Sequence, residues 1–128
     1  MEQKCDLETE VVNVSVKNIR PKYSNLHQWI LDKEANVYIG RERVVFIDGI
    51  RYPFEASIWA NPYKITETQS RKQVLNLYCQ YIDEKLKSNP ELVKELIKLD
   101  KKKLGCWCKP ECCHGDILVK LITKYKNV

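Results

Sequence analysis

The stretch GCWCKPECCHGD, residues 105–116, holds four of the chain's six cysteines and one of its two histidines. Residues of these types at this spacing can do three kinds of chemistry. Cys106, Cys108, Cys113 and His114 offer three soft sulfurs and an imidazole, a donor set suited to zinc. The spacing is unusual for that use. Cys-x-Cys along a strand sends both side chains the same way, and Cys113 and His114 are neighbours that would have to bend around one ion. Alternatively, a cysteine near a helix start has its thiolate favoured by the helix dipole; Cys108 or Cys113 is then a nucleophile, His114 its base, and Asp116 the group that orients the imidazole. In the third reading Cys106 and Cys112 are buried or incidental, Asp116 only caps the helix, and Trp107 is core. Burial alone does not call for Cys, His, Gly and Asp together. That favours a ligand-site role for Cys108, Cys113 and His114, while Cys112 reads as incidental.

The hydrophobic pattern gives the elements that must position this stretch. Leu118, Leu121, Ile122 and Tyr125 fall at i, i+3, i+4 and i+7 and predict a helix after it, while KKLGCWC predicts a short strand that Lys109-Pro110 interrupts. The motif therefore spans a strand-to-helix junction, where free amides favour an anion, and in an open α/β sheet ligands bind beyond the carboxyl ends of the strands. NVYIG, residues 36–40, predicts a second buried strand that delivers Gly40 and Arg41 to the same rim. There the glycine would let a ligand approach the backbone and the arginine would supply a planar fork of donors; the bland alternative is a turn with a surface arginine. In the loop WANPYKI, Asn61 is held extended by Pro62, which frees its amide to meet a polar partner beside Trp59 and Tyr63. A structural loop held down by those two rings accounts for the same residues.

The remaining segments read as scaffold. Residues 1–10 are expected to be a flexible tail and residues 11–128 a single domain. VVNVSV, residues 11–16, predicts a strand, and Leu26, Trp29 and Ile30 predict a short helix. VVFIDGIRYPF predicts a hairpin turning at Asp48-Gly49, with Ile47 facing Ile50 and Pro53 marking an edge. A capping box, Ser70 to Gln73, opens a helix with an apolar stripe from Val74 to Leu86, which is expected to shield Cys79. Asn89-Pro90 then supplies the N-cap and first residue of another helix. The expected fold class is α/β: a compact three-layer, Rossmann-like sandwich with a small, partly parallel sheet and an added β-hairpin.

Composition excludes some classes. A chain of 128 residues buries roughly two-thirds of its unfolded surface and needs neither disulfides nor metal merely to fold. No apolar run approaches the ~20 residues of a membrane helix. The start, MEQKCDLETE, is acidic and polar rather than signal-like, so the expected location is cytoplasmic or host-cell intracellular and the cysteines are expected to be thiols. A net charge of +5, with lysines at 98, 101–103, 120, 124 and 126, permits an anionic ligand without demonstrating one.

VYIGR (37–41), WANPY (59–63), Arg71 and LGCWCKPECCHGDIL (104–118) together resemble the family called domain of unknown function 4326, met in bacteria, phages and large DNA viruses. The resemblance spans roughly residues 36–122. It implies that Tyr38, Gly40, Arg41, Asn61, Pro62, Cys106, Cys108, Cys113, His114, Gly115 and Asp116 occupy recurring positions of the family and that Cys112 does not. Residues 43–58 are longer than the family's usual connection and read as an insertion. The resemblance implies no activity.

The expected function is binding of a nucleotide, nucleoside or phosphosugar. Arg41 and the amides near Gly115 would hold phosphate beside Tyr38 and Gly40, Asn61 would read a polar edge, and Trp59 or Tyr63 would stack. If there is turnover, the chain is a nucleotide- or nucleoside-directed hydrolase or transferase, with Cys108 or Cys113, His114 and Asp116 carrying the reaction and no cofactor. The alternative is a zinc-stabilised nucleic-acid-binding module that uses Lys101–Lys103 and Lys124–Lys126 as a phosphate-contacting face. Against it stand the modest charge and aromatic residues that are not interleaved with the basic ones.

Overall fold

The computed structural model describes residues 9–109 and 111–127. Most of the expected tail, residues 1–8, lies outside the described residues. Thr9 and Glu10 belong to the fold: the Thr9 hydroxyl donates to Asp100 Oδ1 at 3.0 Å, and Glu10 begins the first strand. Five strands and five helices follow: β1 (Glu10–Asn13), α1 (Val16–Ile19), α2 (Leu26–Leu31), β2 (Asn36–Tyr38), β3 (Arg43–Ile47), β4 (Ile50–Phe54), α3 (Arg71–Ser88), α4 (Pro90–Ile97), β5 (Lys103–Cys106) and α5 (His114–Lys126). β1 is shorter than its β-branched run predicts. Asn13 Oδ1 accepts the Ser15 amide at 2.9 Å, and this local turn diverts the chain into α1 before Val16 can extend the strand.

β1, β5 and β2 form a parallel sheet in that order, with Val12 and Tyr38 each in register with Gly105. The last strand in sequence therefore lies in the middle. This differs from the expected Rossmann-like order, in which successive strands of each half are neighbours. Helices cover both faces, as the alternation along β5 requires. Leu104 and Cys106 join the core of Ile39, Tyr78, Ile82, Leu96, Leu118 and Ile122 beneath α3, α4 and α5. Gly105 points the other way, where a Cβ would collide with Trp29 and Val14; its bare Cα lets the Trp29 indole of α2 lie directly on the strand.

β3 and β4 form the expected hairpin, Ile47 opposite Ile50. Asp48 and Gly49 both have positive φ, 52° and 79°, as a two-residue turn matched to strand twist demands. The Ser70–Gln73 capping box and the Asn89 N-cap are both formed, and α3 buries Val74, Tyr78, Ile82 and Leu86. Cys79 is exposed, contrary to expectation. It follows Tyr78 by one residue, and a step of about 100° around a helix carries it off the buried face.

Candidate functional site

β5 ends at Cys106, and the chain re-enters regular structure at Cys113, the N-cap of α5. A cysteine here takes the position that serine or aspartate usually fills. Its amide donates to Asp116 Oδ2 at 3.1 Å, and its sulfur accepts the Gly115 amide at 3.4 Å, so the reciprocal cap is complete. This turn brings the Cys113 sulfur to 3.1 Å from that of Cys106, and the sulfurs of Cys106, Cys108 and Cys113 all lie within 4.8 Å of one another. Cys106 and Cys113 are buried and Cys108 is half-buried. These three side chains are close enough to hold a metal ion together.

The imidazole expected as a fourth ligand is not in that group. His114 Nε2 is 2.7 Å from the Ile39 carbonyl. A carbonyl only accepts, so Nε2 carries the proton and the bare Nδ1 faces Cys113 Sγ at 3.5 Å. Burial pushes the His114 pKa down, which keeps the ring neutral. Among the sulfurs, hydrogen bonds from Cys106 and Cys113 hold the Cys108 thiol well below the usual range, with His114 and Arg71 adding to the effect. The bonds to Cys106 and Cys108, together with burial, raise Cys113, and the bond to Cys108 raises Cys106.

The expected relay of thiol, imidazole and carboxylate is not assembled. Asp116 is taken up by the Cys113 amide and by Lys109 Nζ at 2.7 Å, and the imidazole is oriented by a backbone carbonyl and by Tyr78, whose ring meets it edge-on with centroids 5.2 Å apart. His114 contacts Cys113, a sulfur whose pKa is raised, and not Cys108.

A cavity of about 480 Å³ opens beyond the carboxyl ends of β2 and β5 and is lined by the three cysteines, His114, Tyr38, Gly40, Arg41, Asn61, Tyr63, Arg71 and Trp107 among others. The two rims anticipated from the sequence do converge. Their residues act differently from expectation, however. A Cβ on Gly40 would lie 2.5 Å from the Tyr38 hydroxyl, so the glycine makes room for the Tyr38 ring folding back over its own chain. That hydroxyl donates to the Arg41 carbonyl at 2.7 Å and accepts from Trp107 Nε1 at 2.9 Å. Arg41 donates through Nε to the Asn61 carbonyl at 2.8 Å and through Nη2 to the Tyr63 carbonyl, clamping the 59–63 loop. Asn61 Oδ1 accepts the Tyr63 amide at 2.9 Å, and its Nδ2 donates to no group among the described residues.

Two expected ligand contacts are corrected. Trp59 is buried in the core, its carbonyl accepting from the Tyr78 hydroxyl at 2.7 Å, and it does not line the cavity. Gly115 is a packing residue: a Cβ would lie 2.8 Å from Val11 Cγ1, and its amide is committed to Cys113.

The family model described as Domain of unknown function (DUF4326) matches residues 23–124. The chain belongs to this family. An uncharacterized 12.4 kDa protein in the nrdA-td intergenic region of Enterobacteria phage T4 is 31% identical over 68 residues, 53% of this chain and 62% of that protein. The match therefore spans less than two thirds of the relative's length. No solved structure matches the chain.

In this DUF4326 chain, Arg71, Trp107 and Arg43 are among the cavity residues that were not anticipated as site residues. Arg71, the first residue of α3, donates to the Cys112 carbonyl at 3.1 Å and reaches toward Cys108. Trp107 lies under Arg43, whose guanidinium carbon is 3.9 Å from the ring centroid. The available signals were local: Arg71 follows an N-cap and so projects from a helix start, and Trp107 lies between two cysteines just past the end of β5. Lys101–Lys103 and Lys124–Lys126 do not line the cavity; Lys102 donates to the Glu34 carbonyl and Lys126 pairs with Asp100 at 3.3 Å.

Proposed function

We propose that the chain binds a nucleotide-like or otherwise phosphorylated small molecule in the cavity beyond β2 and β5. The observation that carries this reading is the lining: Arg41, Arg43, Lys64 and Arg71 face the space with Glu42 as its acidic residue, beside the Tyr38, Tyr63 and Trp107 rings. A volume of about 480 Å³ falls within the range of small-ligand pockets. Arg41 Nη1 and Asn61 Nδ2 donate to nothing among the described residues, which leaves a cationic and a neutral donor for a phosphate and a polar edge.

Binding is the better-supported half of this reading. The reading does not require turnover: His114 is tied to Ile39 and Asp116 to the cap, so the expected relay is not assembled. The basic runs of the nucleic-acid alternative do not line this cavity, and Lys102 and Lys126 are engaged by Glu34 and Asp100.

Calorimetric titration with adenosine 5′-monophosphate, ribose 5-phosphate and inorganic phosphate tests it. At least one phosphorylated compound is expected to bind, with Arg41→Lys weakening it about tenfold because an ammonium cannot both hold the loop carbonyls and present a fork. Absence of binding by all three, or equal affinity in Arg41→Lys, refutes the assignment.

A further inference from the structure

We propose that Cys106, Cys108 and Cys113 hold one soft divalent cation of zinc's class, and that its fourth coordination position opens into the cavity, where an anionic group of the ligand takes it. The second half rests on the proposed function; the first does not.

Geometry carries the first half. Tetrahedral coordination with metal–sulfur bonds of about 2.3 Å places sulfurs about 3.8 Å apart. The three sulfurs here lie within 4.8 Å of one another, and the Cys106–Cys113 pair, at 3.1 Å, needs to open by about 0.7 Å. Two of the carriers belong to regular elements, Cys106 as the last residue of β5 and Cys113 as the N-cap of α5, and Cys108 follows the bend at Trp107. Core side chains surround them, Ile39, Leu104 and Leu118 among them. Three convergent thiols are poor core filler, since each has only weak hydrogen-bonding capacity to offer the others, and they exceed what a single nucleophile requires.

The surroundings suit sulfurs that carry charge. The Gly115 amide donates to Cys113 Sγ at 3.4 Å, and Arg71, which donates to the Cys112 carbonyl, lines the same cavity as the three sulfurs. Such donors spread the excess charge of three thiolates around a dication and orient them, as outer-shell groups do at metal sites.

The ligand count points to an open site. Structural zinc sites are closed by four protein ligands, whereas sites that engage a ligand keep three and leave one position free. His114 is not among the residues whose ligand atoms all lie within 4.8 Å of one another, so the group of three sulfurs leaves one position open. All three cysteines line the same cavity as Arg41 and Arg71, so that space is where a fourth ligand enters.

The experiment uses the full chain, loaded with Zn(II) or Co(II) and desalted. One metal per chain is expected, with thiolate-to-cobalt absorption of an intensity appropriate to three sulfurs. Cys106→Ser, Cys108→Ser and Cys113→Ser should each lose at least tenfold in metal affinity, while Cys79→Ser, Cys112→Ser and His114→Gln should retain it. Loss of metal in His114→Gln overturns the open three-thiolate site. Because the serine variants of buried cysteines could fail to fold, alkylation of the wild type provides a second reading: zinc should slow labelling of Cys106, Cys108 and Cys113 at least tenfold and leave Cys79 unaffected. Equal labelling with and without zinc overturns the metal. Inorganic phosphate and adenosine 5′-monophosphate are then added to the cobalt form, and a shift of its visible bands is expected. Unshifted bands under conditions where calorimetry shows binding overturn the shared position while leaving the ligand pocket standing.

Discussion

The β5–α5 wall of the cavity is made chiefly of packed core groups, whereas the wall formed by residues 38–41 and 59–63 is tied together by individual hydrogen bonds, those of the exposed Arg41 among them. Cys106, Cys113, His114 and Gly115 are packed into the main core, and their positions follow from strand pairing, a helix cap and close packing. Across the space, Arg41 is exposed and the 59–63 loop is held by its guanidinium, by the Asn61 turn and by Tyr78 reaching Trp59 from below. The difference teaches where rigidity resides. The wall that carries the sulfurs is as stiff as the core, and the wall that carries the free donors can yield.

Substitutions can break this contrast or sharpen it. The largest effect is expected for Tyr78→Ala, because Tyr78 supports both walls, packing on His114 and bonding to the Trp59 carbonyl. Urea denaturation should show a loss of about 3–5 kcal/mol, as for other large aromatic truncations in cores. Gly115→Ala touches only the sulfur wall. Its Cβ would lie within 3.0 Å of Val11 and Ile39 side-chain atoms, so overpacking should cost about 1–3 kcal/mol. A change below about 0.5 kcal/mol would mean that this wall is softer than its burial implies.

Asp116→Ala removes the acceptor of the Cys113 amide and the partner of Lys109, and loss of such a cap is expected to cost about 1 kcal/mol in the same assay. The smallest effect belongs to the donor wall. Tyr38→Phe deletes a hydroxyl that links Arg41 to Trp107 and should cost about 0.5–1.5 kcal/mol. A cost as large as that of Gly115→Ala would erase the distinction between the two walls.

Much of the scaffold was legible because it is written in local chemistry. Asp48-Gly49, Ser70 with Gln73, and Asn89-Pro90 each specify their own turn or cap within a few residues, and all three are formed. The strand-to-helix junction at the thiol motif was legible for the same reason. What depends on partners distant in sequence was not. No local rule places β5 between β1 and β2, turns Arg41 back onto the loop it precedes, or buries Trp59 under α3. Gly40 shows the limit well. A glycine after a strand signals a close approach, but the approaching group is Tyr38 of the same strand, and spacing cannot distinguish that from a ligand. Asp116 illustrates the reverse: its position three residues after Cys113 is a capping-box spacing, and that local rule outweighs any catalytic reading.

The central place of β5 also dictates when this protein can fold. β1 and β2 each pair with β5 and not with each other, so the parallel sheet cannot exist until residues 103–106 are available. During synthesis, residues 103–106 must emerge before the first ladder of that sheet closes, and Glu10 pairs with Lys103, 93 positions away (103 − 10). Local elements such as the hairpin and α3 can form earlier, but loop-closure entropy is met late and in one event. Until then the apolar faces of β1 and β2 remain uncovered, so the nascent chain is most exposed to aggregation in the interval just before its thiol motif is made.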